Sequence, residues 1–248
     1  MTDQLSCSVR SNFPITEVVI SGPLSVRSAP AVRAIVLKCL VDQPSSLLVH
    51  LADVELVDDM AVLVFSALAR HASAWPGCPL VVAAPSAHTR AALDRLAVSR
   101  YVEVYSTWSE AYVRATEAPV PRRLTTQLLP VPQAAAEVRR IFTDGCQRWG
   151  VPELISRGQL VVTELISNAV EHAGTTIDFK MSLRDRYLHL AVYDRNPAPP
   201  RRTSIVSEQA ERGRGLLVVD AYAASWGSSP TLDGKVVWAT MLSRHAPA

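Results

Sequence analysis

Apolar positions change their period several times along the chain, and each change marks an element. Ser6–Asn12 and Ile15–Ser21 alternate as two short strands on either side of Phe13-Pro14. Pro30–Asp42 carries apolar residues at helical spacing, with Pro30 tolerated in the first turn. Leu47–Leu51 is an unbroken apolar run of strand length. Asp59–Trp75 reads as a helix, Leu80–Ala84 as a strand, and Ser86–Leu96 as a helix capped by Ser86. Val102–Tyr105 is a last strand, followed by a helix from Thr107. Strands first and strand–helix alternation afterwards predict a small mixed sheet with helices packed on it, an α/β domain.

The pattern then changes character. Leu124–Leu129 reads as a strand and Pro132–Trp149 as an amphipathic helix. A second long helix, Pro152–His172, is opened by proline and closed by Gly174. Ile177–Arg184 and Tyr187–Asp194 alternate as two strands joined through Asp185-Arg186. Arg195–Arg212 has no regular period, and Gly213–Tyr222 is a glycine-opened helix. Strands at Ala224–Gly227 and Val236–Leu242 close the domain. Helices on one face of an antiparallel-rich sheet make an α+β sandwich.

Composition sharpens this division. Only Gly22 and Gly77 of the 10 glycines precede Pro119. Up to Pro119, nine basic residues stand against eleven acidic ones; beyond it, sixteen stand against twelve. Ala118-Pro119-Val120-Pro121-Arg122-Arg123 has the composition of a stiff extended connector. The predicted division is a first domain over 1–118, a linker over 119–123 and a second domain over 124–248.

With 248 residues, 48% of them hydrophobic, the chain can bury two cores, which excludes wholesale disorder. A net charge of +2 points to neither nucleic acid nor an anionic membrane as a direct partner. Of the 25 basic residues only Lys38, Lys180 and Lys235 are lysines, a skew read as genome composition. Cys7, Cys39, Cys78 and Cys146 are scattered, without zinc-ligand spacing or a disulfide framework. The first residues lack an apolar signal core, and no apolar stretch is long enough to span a bilayer, so a cytoplasmic location is expected.

Candidate chemistry concentrates in the second half. Glu164, Asn168 and His172 recur every four residues and form one polar stripe on the helix. Taken alone, such a stripe is more often a solvated face. Asp194 ends an alternating strand, and Gly213-Arg214-Gly215-Leu216 opens a helix after an irregular segment. Glycines at a helix N-terminus let backbone N–H groups approach a phosphate, although a lone G-x-G is more often a tight turn.

Taken together, these residues resemble the histidine-kinase-like ATPase fold, the Bergerat sandwich, in its anti-sigma-factor, protein-serine-kinase branch. Glu164–His172 is similar to that family's ExxxNAxxH box. The resemblance covers roughly residues 122–244. It implies that ATP binds with Mg²⁺ held by Asn168, with Glu164 as general base and Asp194 as acceptor of the adenine amino group. It places His172 in the site, and Gly213, Gly215 and Leu216 at the phosphates. Arg212 and Arg214 would add charge there, with plain surface arginines equally open. Two features depart from the family. Asp194-Arg-Asn196-Pro-Ala198-Pro-Pro contains no glycine where DxGxG is usual, and the adenine-side threonine is replaced within Gly234-Lys235-Val236-Val237.

The first half resembles the STAS domain of anti-sigma-factor antagonists in its order of elements. The family pattern is a buried strand, D-V-x-x-x-D-S-S-G, then a helix. Here Asp53-Val-Glu-Leu-Val-Asp58 is followed by Asp59-Met60-Ala61, so Asp59 stands at the phosphorylatable serine. Asp58 and Asp59 are equally well a helix cap. As a switch, the position is degenerate: an aspartate supplies about one negative charge, against roughly −1.5 to −2 for phosphoserine. The combined resemblance implies a partner-switching regulator acting on a separate STAS-type antagonist or a sigma factor. It also implies a homodimer through the kinase-like half. The tether raises the effective concentration of the two halves, so either they contact each other or the kinase-like half stays free for a separate partner, and the sequence leaves both open. A non-catalytic, nucleotide-dependent interaction module is the alternative.

Overall fold

The computed structural model describes residues 4–199 and 215–244. They fall into two compact units, Met1–Val120 and Pro121–Ala248. Among the described residues no helix is long and apolar enough to cross a membrane.

The first unit is built on one sheet in the order β1 (Ser6–Asn12), β2 (Ile15–Leu24), β3 (Ser46–Leu56), β4 (Leu80–Ala83) and β5 (Glu103–Tyr105). The β1–β2 hairpin is antiparallel and every later pair is parallel. The helices are α1 (Ala29–Val41), α2 (Leu63–Ala74), α3 (Ala87–Arg95) and α4 (Trp108–Thr116). Ser86 caps α3 by accepting from the Thr89 amide at 3.2 Å. Thr107 and Glu110 form a reciprocal capping box at α4.

Strand β3 runs five residues past the predicted Leu47–Leu51 core. Its tail alternates, with Ala52, Asp53 and Glu55 exposed and Val54 and Leu56 buried, and it pairs with the end of β2. The expected helix Asp59–Trp75 begins as a 3₁₀ turn, Asp59–Val62, before α2. Fully buried Leu47, Val49 and Leu51 pack with Phe65, Leu68 and Val36 in the core.

The second unit is an antiparallel sheet in the order β6 (Arg122–Leu128), β7 (Ile177–Arg184), β8 (Tyr187–Asp194), β10 (Lys235–Leu242) and β9 (Ser225–Pro230). Helices α5 (Ala134–Trp149), α6 (Ile155–His172) and α7 (Gly215–Tyr222) complete it. Arg122 and Arg123, assigned to the linker from composition, are the first residues of β6 and pair with Leu183 and Ser182. Strand pairing captures them because the antiparallel partner extends that far.

The α5 residues Val138, Phe142, Cys146 and Trp149 recur at helical spacing and are buried against α6 and the sheet. Gly158 permits the close approach of the two helices: a Cβ there would lie 2.1 Å from the Phe142 ring. Helix α6 buries Val161, Val162, Leu165, Ile166 and Ala169 and packs over β8 and β10. Its polar stripe therefore runs along the edge of a buried face, beside the strand ends.

Candidate nucleotide site

Two strands and one helix assemble the site. Along β8, Leu188, Leu190 and Val192 point into the core, so the period of two places Asp194 on the same inner face at the strand's end. Along β10, Val237, Ala239 and Met241 are inward, which places Lys235 on that face at the strand's start. Lys235 and Asp194 are direct cross-strand partners. Above them runs the C-terminal half of α6. Between these elements lies a cavity of about 290 Å³ lined by Asn168, Glu171, His172, Asp194, Asn196 and Lys235, with Leu165, Val192 and Val237 as apolar wall. That volume is at the lower end of small-molecule pockets, roughly 300 Å³ and above.

The floor of the cavity is a buried ion pair. Lys235 Nζ donates to Asp194 Oδ1 at 2.9 Å, with the two side chains 8% and 2% exposed. Lys235 Nζ also donates to the Asn196 carbonyl at 2.9 Å. The Asn196 backbone N–H donates to the same Asp194 Oδ1 at 2.8 Å. Close approach of the strands is enforced at Gly234, where a Cβ would lie 1.9 Å from the Asp194 carbonyl oxygen.

Asn196 explains how the segment after β8 is held without the expected glycines. Its Nδ2 donates to the His172 carbonyl at 2.7 Å, tying the segment to the end of α6. Its Oδ1 accepts from the Ala198 amide at 3.0 Å, a local side-chain turn. Thr175 Oγ1 accepts from the Arg195 amide at 3.1 Å. Side-chain hydrogen bonds thus shape a stretch that glycine-rich relatives of the pattern would shape with backbone freedom.

Asn168 reaches the cavity with its Nδ2 buried and, among the described residues, without a hydrogen-bond partner. An unpartnered buried amide is costly, by about 1–3 kcal/mol, unless a ligand meets it. Rotation of the carboxamide presents either a donor to a phosphate oxygen or an oxygen to a hard cation. The residue type and position therefore fit a phosphate–Mg²⁺ group. Glu164 stands one turn earlier on α6, half-buried, and is not among the described residues that line the cavity. Burial raises its carboxyl above the ordinary range, and the Glu171 carboxylate raises it further.

The structure therefore brings Asn168, His172 and Asp194 together and sets Glu164 beside them. Gly215 begins α7, and Leu216 is buried in the core rather than at the cavity. Arg212, Gly213 and Arg214 lie outside the described residues. Glu171, Asn196 and Lys235 are the residues that sequence reading left out of the site. Lys235 carried a signal: it is a lysine opening a strand in a chain whose other 22 Lys and Arg residues beside Lys38 and Lys180 are arginines.

In the first unit, Asp58 caps the 3₁₀ turn, its Oδ1 accepting from the Met60 amide at 3.0 Å. Asp59 turns onto α3, where its carboxylate meets the Arg95 guanidinium and lies 3.4 Å from His88 Nε2. The Asp59 charge is thus shared with neighbours and is not presented alone. These groups are 41–64% exposed, so the pairing adds little stability. Val57 and Met60 flank the position and are exposed.

A STAS domain family model matches residues 8–111, and a histidine kinase-like ATPase domain family model matches residues 129–241. Among solved structures, an anti-sigma factor antagonist from Mycobacterium paratuberculosis is 20% identical. That match covers 47% of this chain and 97% of the other, with a TM-score of 0.40. A putative anti-sigma factor antagonist from Thermotoga maritima is 19% identical over 44% of this chain and 94% of its own, with a TM-score of 0.41. The RsbU and RsbW domains of a Mycobacterium tuberculosis protein are 23% identical. They share 52% of this chain and 34% of theirs, with a TM-score of 0.39. No curated protein matches the chain.

Proposed function

We propose that this chain, which joins a STAS domain to a histidine kinase-like ATPase domain, is an ATP-binding partner-switching regulator that phosphorylates a serine on a separate STAS-type antagonist. The observation that carries the reading is the cavity under α6, lined by the Asp194 carboxylate at the strand end and by Asn168, whose buried Nδ2 has no hydrogen-bond partner among the described residues. Asp194 accepts from the amino group of the base, and the apolar wall of Leu165, Val192 and Val237 contacts the ring faces. Asn168 would hold Mg²⁺ through its amide oxygen, and the ion would supply neutralisation of phosphate charge.

In the transfer, the seryl oxygen attacks the γ-phosphorus and the bond to the bridging β–γ oxygen breaks. ADP leaves, and the seryl proton passes to the Glu164 carboxylate. A carboxyl raised above its ordinary range by burial holds that proton better than an exposed one would. At the switch position the chain's own STAS domain carries Asp59, which has no hydroxyl and cannot accept phosphate as a serine does. The acceptor is therefore supplied in trans, and a sigma factor is the competing partner.

Calorimetry tests the binding step: Mg-ATP binds the wild type, and Asn168→Ala abolishes the heat. Transfer of label from γ-labelled ATP to a serine-bearing STAS protein tests the chemistry, with Glu164→Ala binding nucleotide but not transferring. The position of Glu164 outside the cavity lining favours one second reading, a module in which nucleotide only selects a conformation. Binding without transfer across a panel of STAS partners would establish that reading instead.

A further inference from the structure

We infer that Lys235 reads the base, donating its remaining ammonium N–H to a ring-nitrogen acceptor that adjoins the amino group taken by Asp194. This rests on the ATP reading of the cavity and assigns it a second recognition contact. An ammonium has three N–H donors. Among the described residues two are spent, on Asp194 Oδ1 and on the Asn196 carbonyl, both at 2.9 Å. The side chain is nearly buried and lines the cavity, so the third donor has the cavity as its outlet.

Asp194 is asymmetric in the same way. Its Oδ1 accepts from Lys235 Nζ and from the Asn196 amide. Among the described residues its Oδ2 accepts no hydrogen bond. The floor therefore offers one acceptor beside one donor. Adenine presents the complement on its pairing edge, an amino donor at N6 next to an acceptor at N1. Guanine presents one acceptor and two donors, of which the second would find Oδ1 already taken by two donors. At this buried floor an unmatched donor lowers affinity. The ion pair thus holds Lys235 in place, keeps its ammonium compensated, and turns a single-point contact into a two-point one.

The test compares ATP, 1-deaza-ATP and 7-deaza-ATP by calorimetry on the full chain. Removing the N1 acceptor deletes a hydrogen bond to a charged donor, so 1-deaza-ATP should bind wild type roughly ten- to a hundredfold more weakly than ATP. The 7-deaza compound keeps the pairing edge and should bind like ATP. In Lys235→Met, ATP and 1-deaza-ATP should bind equally. The wild-type comparison stands alone if that variant fails to fold. Equal binding of ATP and 1-deaza-ATP by wild type would overturn the Lys235 contact and leave the ATP reading intact. Failure of all three nucleotides to bind would remove the ATP reading itself, and the contact with it.

Discussion

Lys235→Met isolates the energetics of the cavity floor. The substitution keeps the length and apolar stem of the side chain and removes only the ammonium. It leaves the Asp194 carboxylate, 2% exposed, with the Asn196 amide as its described donor. Removing one partner of a buried pair typically destabilises by about 3–5 kcal/mol. The surviving amide places the expectation at about 3 kcal/mol, the lower end. Amide exchange followed by mass spectrometry on β8 and β10 peptides reads this locally, since it does not require the two units to unfold together. A loss of about 3 kcal/mol speeds exchange by roughly a hundredfold where opening is global for the unit. Adding Asp194→Leu removes the stranded charge and should restore most of the protection, because replacing both partners by apolar groups is often near neutral. Exchange within threefold of wild type in Lys235→Met, or a double variant worse than the single one, would refute the description of the floor as a mutually dependent buried pair.

Two glycines separate stability from binding. Gly234→Ala drives a Cβ against the Asp194 carbonyl and the Arg195 Cα, backbone atoms that cannot yield without moving the floor. It should destabilise the unit by at least 1–3 kcal/mol, about the usual overpacking range, and abolish nucleotide binding. Gly158→Ala meets the Phe142 ring instead. It should lower the denaturation midpoint while any folded protein still binds Mg-ATP, as titration calorimetry would show. Burial first and the Glu171 carboxylate second raise the Glu164 carboxyl, so Glu171→Gln should move its midpoint to lower pH in a carbon-13 NMR titration, though still above an exposed glutamate. Burial and nearby Arg184 lower the His189 imidazole to about 3. The folded state then binds fewer protons there than the unfolded chain, so this contribution is whole above about pH 6.5 and fades as pH falls towards 3. His189→Gln should flatten that acid limb in pH-dependent denaturation.

The sequence exposes elements whose periodicity is strong and local. In Tyr187–Asp194 the apolar Leu188, Leu190 and Val192 recur every second residue, and the strand has the predicted bounds. The cap of α3 is legible because Ser86 immediately precedes the helix. Asn168 and Asp194 are legible as a set because a helical stripe and a strand end each have their own signal, and a resemblance joins them. Lys235 is not legible in this way. Its place opposite Asp194 depends on the register of β10 against β8, a pairing between segments 41 residues apart, which no local pattern encodes. Asn196 hides for a related reason: its bonds run to the end of α6, 24 residues away. The β6 start at Arg122 was masked by the preceding Pro-Val-Pro, whose composition suits a connector although the partner strand extends to meet the arginines. The Asp59 carboxylate meets Arg95, 36 residues on, again through tertiary structure alone.

A crystal structure with Mg²⁺ and a non-hydrolysable ATP analogue tests the central claim most directly. The account predicts the base seated between α6 and the ends of β8 and β10, its amino group within hydrogen-bond distance of Asp194 and the phosphates beside Asn168. A nucleotide bound elsewhere, or a cavity still empty at saturating analogue, would contradict it.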